Sequence, residues 1–172
     1  LRRHALGILR MLIERDLPLA VKDLVEQALA AFPSKQADAA DKLVHYIFDR
    51  LVGYLRDLGY SALEVEAVVS VRRPRWGELP RRLAAVRSFA ALTEAASLAA
   101  ANKRVANILK KSEGAIADKP SESLMNEAAE RALWQALNAT LPQAEALLKA
   151  DDYEGYLKSF AALKAPVDAF FD

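Results

Sequence analysis

The residues with the most chemical content lie between positions 72 and 111. Ten of them are basic: Arg72, Arg73, Arg75, Arg81, Arg82, Arg87, Lys103, Arg104, Lys110 and Lys111. Only Glu78 and Glu94 oppose them, so the stretch carries +8, against −1 for residues 1–71 and −6 for residues 112–172. Clustered cations beside a nearly neutral total of +1 call for an anionic partner. Trp76 stands among three arginines in a proline-containing loop, a composition that can stack on an unpaired base while the cations hold phosphates. The alternative, a tryptophan that anchors its loop on the core, is the stronger of the two.

Wound at 100° per residue, the segment 95–111 separates its side chains. Asn102, Val105 and Leu109 fall within about 40° of Leu98, whereas Lys103, Arg104, Asn107, Lys110 and Lys111 lie more than about 100° away. This predicts a buried apolar stripe with Asn102 as a hydrogen-bonded structural amide, backed by a cationic face that Asn107 shares.

Routes to catalysis are few. The chain has no cysteine, which removes disulfides, thiolate metal sites and thiol nucleophiles. His4 and His45 read as surface side chains, the latter pairing at most with Asp41 or Asp49 at helical spacing. No zinc-binding His-Glu-x-x-His, phosphate-binding glycine loop, nucleophile elbow or calcium loop occurs, so neither a catalytic centre, a metal site nor a cofactor site is expected.

The elements that must position the basic residues are helical. Alanine supplies 34 of the 172 residues, while six glycines and seven prolines are too few for many tight turns, and the expectation is an all-α bundle of about eight helices in one domain, 1–172. Apolar periodicity predicts helices over 1–15, 19–31 and 38–58, with Gly59 closing the third. Ser61 and Glu64 form a capping-box signature for a short helix to about Ser70. Helices follow over 78–92 and 93–111, then 121–138, 141–150 and 152–164, with a further one starting at Pro166. Phe32 to Gln36 reads as a hinge, and Ser112-Glu113-Gly114 with Asp118-Lys119-Pro120 as a connection. No stretch reaches membrane-spanning length, and a chain that begins without Met inside a helix reads as a fragment.

The run from Ala101 through Asn102-Lys103-Arg104 to Asn107-Ile108-Leu109-Lys110-Lys111 resembles the C-terminal region of the bacterial glycyl-tRNA synthetase β subunit. Leu1-Arg2-Arg3 with Ala5 to Arg10, Phe48-Asp49-Arg50-Leu51 with Gly59-Tyr60, Arg82 to Phe89, and Pro166 to Phe171 match the same family in order, so the likeness covers nearly the whole chain. It implies a fold similar to the helical anticodon-binding domain of arginyl-tRNA synthetase, with residues 1–15 as the exit helix of a preceding HD-like domain. It also implies tRNA-Gly and a catalytic α subunit, in a heterotetramer, as partners in the cytoplasm. ATP and magnesium would belong to that α subunit, leaving this segment non-catalytic. The family continues past Asp172 into a further helix, and Trp76 matches no position of its pattern. A helical module that contacts an acidic protein or the α subunit is the alternative reading.

Overall fold

The computed structural model describes residues 1–32, 38–112 and 120–172, and all of its regular structure is helical. The expected hinge at 33–36 and most of the connection at 113–119 lie outside the described residues. Nine α-helices are present among the described residues: α1 (Arg2–Glu14), α2 (Val21–Ala30), α3 (Ala39–Asp57), α4 (Ala62–Val69), α5 (Leu79–Ala90), α6 (Ala95–Lys111), α7 (Ala128–Lys149), α8 (Tyr153–Ser159) and α9 (Lys164–Phe171). Short 3₁₀ turns occur at Glu122–Leu124 and Phe160–Leu163. Where the sequence suggests one domain, contacts divide the chain into two compact units, Leu1–Val86 and Arg87–Asp172.

In the first unit α3 is the central element, with α1, α2 and α4 packed against it. Its apolar residues four apart make this possible, since Ile47, Leu51 and Leu55 are all buried and meet Leu9 and Leu12 of α1, Val65 of α4 and Leu83 of α5. The helix ends as its sequence predicts. Gly59 takes φ 90°, its amide reaches the Arg56 carbonyl, and the Tyr60 amide reaches that of Leu55, which together form a Schellman cap. Asp16 closes α1 the same way at φ 45°, with the Leu17 amide on the Leu12 carbonyl. The predicted capping box opens α4, where the Glu64 amide donates to Ser61 Oγ and the Ser61 amide to Glu64 Oε2.

In the second unit α7 packs on α8, α9 and the 3₁₀ turn that joins them, while α6 packs on α9 and that turn. Two expected helices, 121–138 and 141–150, are replaced by a 3₁₀ turn and one continuous α7 that runs through Pro142. A proline inside a helix forfeits one backbone hydrogen bond and crowds the preceding turn. Burial of Ala144 beyond it, and of Thr140 before it, keeps both halves on the same neighbours and outweighs that local cost.

Candidate nucleic-acid interface

The boundary between the units falls within the basic stretch, so its residues form two sets. In the first unit Arg72, Arg73 and Arg75 are exposed on the loop after α4. The loop is pinned from behind. Ala20 and Arg75 form an isolated antiparallel bridge, and the Val21 amide donates to the Pro74 carbonyl at 3.4 Å. At Gly77 the chain passes so close to Leu17 that a β-carbon would sit 2.7 Å from the Leu17 carbonyl oxygen. Trp76 is 5% exposed, within the core cluster, with its ring centroid 6.1 Å from that of Phe48. The anchoring role holds: a buried indole is not the exposed stacking platform that its arginine neighbours suggest.

Arg81 and Arg82 carry ion pairs, the first with Asp16 at 3.3 Å and the second with Glu78, one turn back on the chain, at 3.3 Å. Arg82 and Glu78 are both largely covered, which turns this pair toward holding α5 and away from receiving a ligand. These two arginines therefore contribute less available charge than a sequence count assigns them.

The second unit holds Arg87 and the cations of α6. Arg87 is exposed in the last turn of α5. Every residue from Asn102 to Ser112 is exposed, which places Lys103, Asn107, Lys110 and Lys111 at the surface as predicted. It also overturns the assignment of Asn102 as a buried structural amide. The helical wheel put the covered face in the wrong place: α9 packs on the side of α6 that carries Ser97, which donates to Asp168 at 2.6 Å, and Arg104, level with Phe171, about 100–120° round from the predicted stripe. Beyond that level Val105, Ile108 and Leu109 stay 39%, 51% and 48% exposed.

Arg104 differs from the lysines around it. Its guanidinium lies over the Phe171 ring, 4.3 Å from the centroid, and Nη1 donates to the Phe171 carbonyl at 3.4 Å. It holds the end of α9 against α6. Lys103, Arg104, Asn107 and Lys111, with Ala100 and Ile108, line an open hollow of about 370 Å³ that no acidic side chain among the described residues borders. Such a surface can bind phosphates as point charges without any base-specific geometry.

His45 lies on the surface with Nε2 3.7 Å from Asp49, as its spacing predicts. Among the described residues no three His, Asp or Glu side chains gather as metal ligands, and no single helix is long and apolar enough to cross a membrane. The displaced pKa values belong to groups outside the ten basic residues of 72–111. Burial pushes the Tyr54 phenol up, aided by its hydrogen bond to Glu14. Lys158 and Ser88 hold the Glu154 carboxyl below its ordinary value, and Lys164 and Ser97 do the same for Asp168.

One set of residues escaped the sequence. Lys22 of α2, with Val44, His45 and Phe48 of α3, meets Arg72 and Arg73 around a second cavity of about 370 Å³. No local spacing signals it, because it joins three separate parts of the first unit.

Residues 1–70 match the family model described as glycyl-tRNA synthetase beta subunit. Across all 172 residues the chain is 54% identical to a glycine--tRNA ligase beta subunit of Polaromonas naphthalenivorans and 52% identical to one of Paracidovorax citrulli, covering 24% of each. A third, from a Janthinobacterium strain, is 53% identical over the whole chain and 25% of its own length. The chain thus spans about a quarter of the length of the curated relatives it matches. At about one identical residue in two over all 172 positions, the chain is similar throughout to one part of glycine--tRNA ligase beta subunits.

Proposed function

We propose that this chain is a tRNA-binding part of a glycine–tRNA ligase beta subunit. It engages tRNA-Gly at the anticodon arm and supports ATP-dependent glycylation carried out with the α subunit in the cytoplasm. ATP and magnesium are used by that catalytic subunit. The observation that carries the reading is the outer half of α6, where Lys103, Asn107, Lys110 and Lys111 are all exposed and the hollow beside them has no acidic border among the described residues. Lysines there hold phosphates and orient the chain on RNA, while discrimination among bases falls to other side chains.

The test is tRNA binding over a range of salt. The unaltered chain binds with strong salt dependence. Changing Lys103, Lys110 and Lys111 together to Ala weakens binding at least about tenfold and lowers the slope of log K against log salt by about two. Because exposed lysines contribute little to folding, melting stays within about 0.5 kcal/mol of the parent. Equal binding by the triple variant would refute the assignment.

A second reading has its own observation. Val105, Ile108 and Leu109 leave an apolar strip exposed beside the cations, which suits an acidic amphipathic protein surface such as one on the α subunit. Binding of α subunit that is lost on Ile108→Asp, with no binding of tRNA, would favour it.

A further inference from the structure

We infer that the cavity between α2, α3 and the Arg72–Trp76 loop is a site for a single unpaired nucleotide, taking the base inside and the phosphate at its rim. The inference rests on the RNA-binding reading above, and extends it to the first unit, whose chemistry differs from that of α6.

The cavity is a half-open hollow of about 370 Å³, within the about 300–1,000 Å³ of sites that hold small ligands. Its apolar lining comes from Val21, Val44, Phe48, Pro74 and the buried Trp76. The rim is basic: Lys22, Arg72 and Arg73 stand there, with Lys22 3.8 Å from Asp41. Lys22 also pairs with Glu26 at 3.8 Å, so counting Asp41 and Glu26 against the three cations leaves +1, carried by Arg72 and Arg73. An apolar interior with a cationic mouth is complementary to one nucleotide, which carries a flat, weakly hydrated base and a charged phosphate.

Two further features point to a planar guest. The Arg72 guanidinium lies over the Phe48 ring, 5.2 Å from its centroid, so a flat group already occupies one face of that ring. Arg72 reaches that position where the chain leaves α4, with φ 48° and its amide on the Val69 carbonyl. His45 and Asp41 supply a donor or acceptor and an acceptor at the border, which gives the edge of a base polar groups to meet.

Trp76 makes the site measurable. Of the two tryptophans, Trp134 lies in the second unit and hydrogen-bonds Glu122, so a Trp134→Phe chain reports from the cavity alone. Its emission is followed during titration with each of the four nucleoside 5′-monophosphates, with ribose 5-phosphate and with inorganic phosphate. At least one nucleoside monophosphate quenches saturably in the millimolar range, the two compounds without a base do not, and Arg73→Ala weakens the quenching nucleotide about threefold. Should Trp134→Phe fail to fold, the backbone amide shifts of Val44 and His45 in the unaltered chain give the same reading by NMR. Absence of saturable change with all four nucleotides overturns the inference, and so does an equal response to ribose 5-phosphate, which would leave an anion site only. If the α6 lysines govern tRNA binding while no nucleotide perturbs the cavity, the RNA reading stands and this site falls. If nucleotides bind here while tRNA does not bind the chain, the site stands and the RNA reading falls.

Discussion

At the scale of the residue, the basic side chains are not equivalent. Arg104 is exposed but lies over the Phe171 ring, whereas no such contact among the described residues holds Lys103, one residue earlier, which is exposed as well. An exposed cation over an aromatic ring contributes about 0.5–1 kcal/mol, and the carbonyl hydrogen bond adds to it. Arg104→Ala is therefore expected to destabilise the chain by about 1 kcal/mol, while Lys103→Ala changes stability by less than about 0.5 kcal/mol. Urea unfolding of both variants measures the difference, and equal stabilities would show that the contact at Phe171 carries no weight. Composition made the cations legible because charge is a property of each residue by itself. Which of them are engaged was legible only for Arg82, whose partner Glu78 lies four positions away, since Asp16 and Phe171 approach Arg81 and Arg104 only in the fold.

At the scale of the element, ends written in local code were readable. Ser61 and Glu64 cap α4, and Gly59 closes α3, because each device needs only neighbours within a few positions. The same local logic failed at Pro142, where packing of α7 on α8 and α9 overrides a helix breaker. It also failed on α6. Periodicity proposed a stripe of Asn102, Val105 and Leu109, yet a stripe shows only where a neighbour could fit, and α9 packs instead on the face that carries Ser97 and Arg104. The nucleotide cavity was invisible for a related reason, since Lys22, His45 and Arg73 share no periodicity. Pro142 yields a measurable expectation. It is exposed, so Pro142→Ala restores a backbone donor without removing buried surface, and should stabilise α7 by about 1–3 kcal/mol in thermal unfolding. A loss of stability would mean that the proline sets a bend on which the packing depends.

At the scale of the whole molecule, the two units have unequal interiors. The first buries Leu9, Leu12, Ile47, Leu51, Leu55 and Leu83 almost completely. Among the described residues of the second, the buried apolar side chains are Ala95, Ala144, Tyr153 and Leu163. Burial of large aliphatic groups is the principal stabilising contribution, so unfolding is expected in two steps with the second unit first. Acid should widen the gap. Lys164 and Ser97 lower the folded-state pKa of Asp168, and Lys158 and Ser88 lower that of Glu154. A depressed carboxyl contributes stability that is present above its ordinary pKa and is lost as pH falls through the folded value. Weakening of the second unit thus begins near pH 4 and grows below it, and Asp168→Asn should reduce that acid sensitivity. Calorimetry from pH 7 to pH 3 tests this, and a single transition at every pH would rule out the two-step account.

The crossing of the two loops at Leu17 and Gly77 imposes an order in time. Positions as distant in sequence as Ala20 and Arg75 can meet cheaply only after α2, α3 and α4 have formed and shortened the chain between them. The helices of the first unit need no such long-range closure to begin forming. Its arginine loop accordingly takes its place late in folding and is among the first parts released when the unit opens. Occupation of the neighbouring cavity would then act as a latch, adding to the buried Trp76, the bridge and the close passage of backbone that hold this segment.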